Sequence, residues 1–274
     1  MPTLTPNYGL NKPLVNDPTD ADQWGTQLNS NMDTLDTTIK SVNDTLTTAI
    51  TNAVTPLLEV VKVQKFTASG TYTPSTGMKY CKIEVVGGGG GGGSACSVTG
   101  NAGAGATGGG AGAYSFSIID AATIGASQAV TIGAGGAGGA TAGAGGAAGG
   151  TSSVGTVITA AGGTGGTGAN GAGAAPQTVG AGGSTGTAFM VIAGGNGSTG
   201  ASAGNLNYAS FGGYGGSSQY GRGGHLMYST GNGNAGVGYG AGGGGASAFA
   251  ANATVYTGGA GSSGAVIITE YCNQ

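Results

Sequence analysis

Seven consecutive glycines, Gly87 to Gly93, follow directly on a strand pattern that begins at Met78, and this junction limits what the chain can become. In Tyr80-Cys81-Lys82-Ile83-Glu84-Val85-Val86 charged and apolar residues alternate with the two-residue period of a half-buried strand. Cys81, Ile83 and Val85 belong to a core face, Lys82 and Glu84 to a wet one. Beyond Val86 there is no side chain left to pack, so the chain there must be held by backbone contact. The same switch recurs. Ala129-Val130-Thr131-Ile132 enters GAGGAGG at Gly133, Val157-Ile158-Thr159 enters AAGGTGG, Phe189-Met190-Val191-Ile192 enters AGGNG, and a last strand, Ala265 to Tyr271, follows the glycines at Gly258 to Gly264. The pattern predicts a small β framework carrying many glycine-built excursions.

Sixty-six glycines in 274 residues lie far from ordinary globular usage. Disordered chains combine high charge with little apolar content, whereas this one is 38% hydrophobic and 6% charged, with a net charge of -3. Collagen is set aside because the glycines keep no every-third register through the chain and Pro176 is the only proline after Pro74. So little charge gives no electrostatic attraction to nucleic acid or to a membrane surface. Each glycine gives up roughly 0.5–1 kcal/mol more than alanine on ordering. Two compensations exist: extended helices of three residues per turn packed closely enough for N–H···O and Cα–H···O contacts, as in polyglycine II, or burial against other chains. Cys81, Cys96 and Cys272 are odd in number and form no CxxC pair and no metal spacing; Cys81, on the core face, reads as a buried free thiol, with a disulfide as the alternative. Met1 to Pro6 shows no basic segment and no apolar run of signal-peptide length, and no stretch is long and apolar enough to span a bilayer. If the protein works outside a cell, it is expected to leave by a route other than ordinary secretion.

Three regions follow. Residues 1–19 contain four prolines and read as an extended arm that docks on something else. Over residues 20–57 the apolar positions Leu28, Met32, Leu35, Ile39, Val42, Leu46, Ala49 and Ala53 recur at spacings of three and four, a heptad seam. The opposite face is Thr, Asn, Ser and Asp, poor helix formers, so helicity is expected to come from partner chains in a coiled-coil stalk that Pro56 ends. Context favours a homotrimer over a dimer. Residues 58–274 form the glycine-rich domain, mainly β and irregular, opening with Phe66 to Pro74 as a hairpin arm turning at Ser69-Gly70.

Between Gly87 and Gly264 the only charged side chains are Asp120 and Arg222. That is too little for a paired-carboxylate or Ser-His-Asp site, so no enzyme, no metal site and no cofactor is expected. His225 has no second histidine, and the GxGxxG matches arise from composition alone. One stretch differs from its surroundings. Asn205, Asn207, Tyr208, Phe211, Tyr214, Tyr220, Arg222, His225, Tyr228 and Tyr239 stand together in sequence, separated by glycine, as on loops. Tyr/Asn/Ser/Gly mixtures suit recognition surfaces, because tyrosine offers a large contact area with few rotors. The alternative to a recognition surface is that these aromatics plug gaps between glycine segments or meet symmetry mates.

Pro6-Asn7-Tyr8-Gly9-Leu10-Asn11-Lys12-Pro13-Leu14-Val15, with Asp20-Ala21-Asp22-Gln23-Trp24-Gly25, resembles the N-terminal attachment segment of tailed-bacteriophage tail fibres. Phe66 to Pro74 with Ile83 to Gly90 is similar to the opening of the glycine-rich domain of phage tail proteins, and Gly240 to Ala246 with Gly264 to Cys272 to its close. The resemblance implies a trimeric fibre or tail-tip adhesin carried in the virion and released by lysis. Tyr8, Leu10, Pro13, Leu14 and Trp24 would then meet a baseplate or tail protein. The C-terminal loops would meet a bacterial surface glycan or outer-membrane protein. A structural, self-associating spacer with no receptor is the alternative.

Overall fold

The computed structural model describes residues 3–4, 11–12, 24–54, 59–97, 103–171, 178–202, 210–249 and 253–273. By internal contacts the chain forms two units, Met1–Glu59 with Asn273–Gln274, and Val60–Cys272. In the first unit, β1 (Thr3–Leu4) pairs antiparallel with β2 (Asn11–Lys12), and the rest of the arm lies outside the described residues. Helix α1 (Trp24–Val54) follows, inside the expected 20–57. Its threonines satisfy themselves locally: Thr34, Thr37, Thr38, Thr45 and Thr48 each donate to the carbonyl four residues back. Leu28, Met32, Leu35, Ile39, Val42 and Leu46 are 38–61% exposed, and Ala49 and Ala53 are exposed with them. A single chain thus leaves the whole seam uncovered. Pro56 lies outside the described residues.

The second unit begins as a β-sandwich. In chain order its elements are β3 (Glu59–Phe66), β4 (Gly70–Tyr72), β5 (Met78–Val86), β6 (Ala104–Gly105), β7 (Tyr114–Asp120), α2 (Ala121–Ile124), β8 (Gln128–Thr131), β9 (Ser152–Val154), β10 (Ile158–Ala160), β11 (Met190–Ile192), β12 (Tyr220–Arg222), β13 (Val237–Tyr239), β14 (Ser247–Ala248) and β15 (Ala265–Asn273). One sheet runs β11-β7-β5-β15-β3 and the other β10-β9-β8-β4. The hairpin expected at Ser69-Gly70 does not form. β3 lies beside β15 while β4 pairs with β8 in the opposite sheet, so the chain crosses between sheets there. Tyr72, reaching into the core from β4, is fully buried and explains the crossing. Cys81, Ile83 and Val85 of β5 meet Val130, Val154, Ile158, Val266 and Ile268 between the sheets, as the alternation requires. The three cysteines are free and buried, and burial pushes the Cys81 thiol up to about 11.

Each strand that leaves the sandwich becomes an extended run with a three-residue period. From Gly87 to Ala95 the amides donate in rotation to three antiparallel runs. Gly87, Gly90 and Gly93 bond Ala113, Gly110 and Thr107; Gly88, Gly91 and Ser94 bond Gly150, Ala147 and Ala144; Gly89, Gly92 and Ala95 bond Ser262, Gly259 and Tyr256, all at 2.8–3.0 Å. The carbonyls accept in the same rotation from three parallel runs, at Gly163 to Ala169, Gly136 to Gly139 and Gly243 to Ala246. Six neighbours around one extended strand, with no bond inside it, is polyglycine-II packing. A Cβ at any of Gly87 to Gly93 would sit 2.0–2.2 Å from a neighbour's carbonyl oxygen, which is why this run is glycine throughout. Ala106 to Ala113 is enclosed in the same way, by runs at 87–93, 161–167, 180–183, 195–198, 213–216 and 240–246. At the periphery the period shows in burial: Gly133, Gly136 and Gly139 are buried, and Ala134, Ala137 and Ala140 are exposed. The run from Gly87 to Ala95 spans roughly 28 Å at ~3.1 Å per residue. The bundle therefore has a near end fused to the sandwich and a far end where outgoing and returning runs are joined.

Candidate functional site

The far end collects the described parts of the joining segments, at residues 95–97, 103–104, 139–144, 169–171, 178–180, 200–202, 210–211, 225–232, 248–249 and 253–256, and no Asp, Glu, Lys or Arg occurs in the sequence of any of these segments. β6 pairs with β14 there, Gly105 facing Ser247 and Ala104 facing Ala248. Ala201 and Phe211 exchange backbone hydrogen bonds at 2.8 and 3.0 Å, fixing where Phe211 enters its run. Tyr228 meets Phe211 edge-on, ring centroids 6.0 Å apart and planes at 77°. A hydrogen bond with Tyr228 raises the Tyr214 hydroxyl above its ordinary range. The Tyr214 amide donates to Ser198 Oγ at 2.7 Å, and Ser198 is itself held by Gly108 of the enclosed central run. Tyr214 and Tyr228 remain 46% and 66% exposed. The result is an aromatic patch with hydroxyl edges and no formal charge.

Only part of the sequence-predicted cluster is in that patch. Phe211, Tyr214 and Tyr228 are in it, and His225 is exposed three residues before Tyr228; Asn205, Asn207 and Tyr208 lie outside the described residues. Tyr220, Arg222 and Tyr239 are elsewhere, because β12 and β13 form an antiparallel hairpin, Tyr220 facing Tyr239 and Arg222 facing Val237, laid against the sandwich. Tyr220 donates to Glu84 Oε1 of β5 at 2.8 Å and packs edge-on against Tyr114 at 5.9 Å. Tyr114 donates to the same oxygen at 2.7 Å, and Lys82 pairs with Oε2 at 2.9 Å. Burial opposes ionisation of Glu84, but the bonds from Tyr114, Lys82 and Tyr220 outweigh it and hold the carboxyl below its usual range. Burial pushes Tyr220 up to about 12. Lys65 stands 4.6 Å over the Tyr239 ring. Tyr114, Tyr220 and Tyr239 with Lys65 and Lys82 thus form a clasp between bundle and sheet, and the structure places Tyr220 and Tyr239 there rather than in the patch. Arg222, on the same hairpin, is exposed apart from the patch.

Of the arm residues, Tyr8, Leu10, Pro13 and Leu14 lie outside the described residues, and Trp24 opens α1 with its side chain outside them. Ser198, which positions Tyr214, escaped sequence reading because a serine in a Gly/Ser/Thr run carries no distinguishing signal. Among the described residues no group of histidine, cysteine and carboxylate side chains could hold a metal ion.

A family model described as a glycine-rich domain matches residues 65–271. The chain belongs to this family. The match begins at Lys65, next to the last residue of β3, and ends at Tyr271 in β15, so the glycine-rich domain comprises both the sandwich and the bundle. No curated protein matches the chain. The aromatic patch and the tyrosine clasp both lie inside the glycine-rich domain, at its two ends.

Proposed function

We propose that this chain is a bacteriophage tail fibre or tail-tip adhesin. The arm of residues 1–19 attaches to a baseplate or tail protein, α1 assembles three copies into a stalk, and the glycine-rich domain carries the host-contacting surface at its far end. The protein is non-enzymatic, needs no cofactor, and is released with the virion at lysis. The observation that supports this reading best is the segregation of the domain. Its interior is a backbone-bonded block, while the described parts of the joining segments and the exposed pair Tyr214 and Tyr228 gather toward the end remote from the sandwich. A patch without charge favours stacking on apolar sugar faces or on a neutral protein surface.

The test is strain-selective binding of the full chain to bacterial cells, beside two triple variants. Phe211, Tyr214 and Tyr228 changed to serine should abolish binding, while Tyr220, Arg222 and Tyr239 changed to serine should weaken the fold and leave residual binding strain-selective. Binding unaffected by the first set would sink the tip assignment. A chain binding no strain of a wide panel would favour the spacer reading.

A further inference from the structure

The five-stranded sheet ends on two edges, β3 and β11, and both carry uncovered apolar side chains. On β3, Val61 and Val63 are 56% and 63% exposed; at the other edge Met190 and Ile192 are exposed too, and Phe189 just before them is 85% exposed. Soluble sheets guard their edges, because free N–H and C=O groups recruit another strand. Phe189, with Phe116 edge-on to it at 6.4 Å, stands with Ile118 and Asp120 around an open hollow of about 360 Å³. The β3 edge carries an exposed Lys62 among its valines. The two edges therefore match in apolar character, and β3, with Glu59, Lys62 and Lys65, carries one net positive charge while Asp120 stands beside the other edge.

The covalent path limits what can cover them. Five peptide steps separate Val54 at the end of α1 from Glu59 at the start of β3, a reach of at most about 18 Å. That is comparable to the sheet itself, whose five strands at ~4.8 Å spacing span roughly 19 Å. Where the α1 seams associate, tethers this short keep the sheets of the copies within reach of one another. Opposite edges of one sheet can then meet head to tail, and a rotation that closes needs two different complementary patches, as found here.

We propose that β3 of one copy lies along β11 of the next, so that the sheets of the fibre close into a ring. This rests on the self-association of α1 proposed above. The native cysteines are buried, so cysteines introduced at exposed edge positions report alone. Full-length chains carrying Val63→Cys or Met190→Cys are co-expressed, their mass is measured by light scattering, and a short bis-maleimide is added. Cross-linked dimers are expected in the mixture and not in either variant alone. The double variant should yield one covalent species of the same mass as the native oligomer. Self-linking of a single variant, or no linking in a chain shown to be oligomeric, overturns the edge contact. Ladders longer than the native oligomer overturn ring closure. A monomeric mass before cross-linking removes the α1 reading, and the ring with it.

Discussion

Replacing Gly90 with alanine asks the centre of the bundle for room it does not have. The new Cβ would lie 2.1 Å from the Thr164 carbonyl oxygen, 2.5 Å from its carbon and 2.9 Å from the Gly165 nitrogen, all backbone atoms. Ordinary contact at ~3.5 Å requires the run at 161–169 to move out by about 1.4 Å. That run is tied to the centre by Gly163 to Gly88, Gly166 to Gly91 and Ala169 to Ser94, and it accepts from Gly110 at Thr164. Overpacking alone costs about 1–3 kcal/mol. Weakening two or more ladder bonds adds about 0.5–1.5 kcal/mol for each. The stiffer unfolded chain returns only about 0.4–1 kcal/mol. The balance is a loss of roughly 1–6 kcal/mol, centred near 3, against the 5–15 kcal/mol of a typical domain. A loss of about 3 kcal/mol corresponds to a Tm lowered by roughly 6–12 °C.

Gly70→Ala is the control, since a Cβ at Gly70 meets nothing within 4 Å. It should change stability by no more than about 0.5–1 kcal/mol, in the stabilising direction. Denaturant unfolding of both variants beside the native chain decides the matter. If Gly90→Ala unfolds with the same midpoint as Gly70→Ala, the bundle is not close-packed in solution and the account of the seven glycines fails.

Glu270 is fully buried on the inner face of β15, and its Oε1 accepts from Tyr72 Oη at 2.8 Å, the Ser75 amide at 3.0 Å and Gln64 Nε2 at 3.2 Å. Burial opposes its ionisation, yet the bonds from Ser75 and Tyr72 prevail and hold the carboxyl below its usual range, as at Glu84. A depressed folded-state value means that the stabilisation is complete above the ordinary glutamate pKa of ~4.3 and fades as pH falls below it. Acid unfolding should therefore begin below about pH 4, and Glu84→Gln with Glu270→Gln should flatten the slope of stability against pH in that range. Tyr220→Phe should cost about 0.5–1.5 kcal/mol in urea unfolding, through its lost bond to Glu84, and leave cell binding intact. Leu35→Asp with Leu46→Asp should convert the oligomer seen by light scattering to monomer while the glycine-rich domain stays folded. Because the far-end segments lack charge, cell binding should change by less than about twofold between 0.05 and 0.5 M NaCl; a steep salt dependence would refute the uncharged contact.

The strands were legible wherever alternation was. β5, β7, β8 and β15 stand where strand patterns were read, and in β5 and β8 the core faces follow; in β7 the face is reversed, with Ser115, Ser117 and Ile119 buried while Phe116 and Ile118 turn outward. β9 and the β12–β13 hairpin were not legible, because Ser-Ser-Val, Tyr-Gly-Arg and Val-Gly-Tyr are too short to show a period. The crossing at Ser69-Gly70 was misread as a hairpin for a related reason: a turn signal says that the chain bends, not which sheet receives it. The bundle was half legible. Glycine content alone pointed to polyglycine-II packing, and a three-residue register was present in AGGAGG from Ala134 and in GGTGGTG from Gly162. It is local to each run and restarts after every joining segment, so a search for one register through the chain misses it. The split of the aromatic cluster was not legible at all. Phe211 to Tyr239 covers a run in, a run out and a run back, so residues close in sequence alternate between the ends of a rod roughly 28 Å long.

That alternation has a consequence for how such a domain can vary. The bonds that hold the interior run from backbone to backbone, and their register is set at the near end, where β5, β7 and β15 are locked by paired strands and by the Glu84 clasp. A change in a joining segment at the far end breaks none of those bonds, provided its ends return in phase. A change at Gly88, Gly91 or Gly109 breaks several at once, because each faces backbone within about 2.3 Å. Segment swaps between 201 and 210 or between 225 and 232 should then fold with near-native stability, whereas deleting one residue from Gly87 to Gly93 should not, since it shifts all three ladders out of phase together. Soluble yield and unfolding midpoint of the two kinds of variant separate a scaffold that tolerates new tips from a fibre whose every segment is fixed by packing. Equal damage from both would favour the spacer.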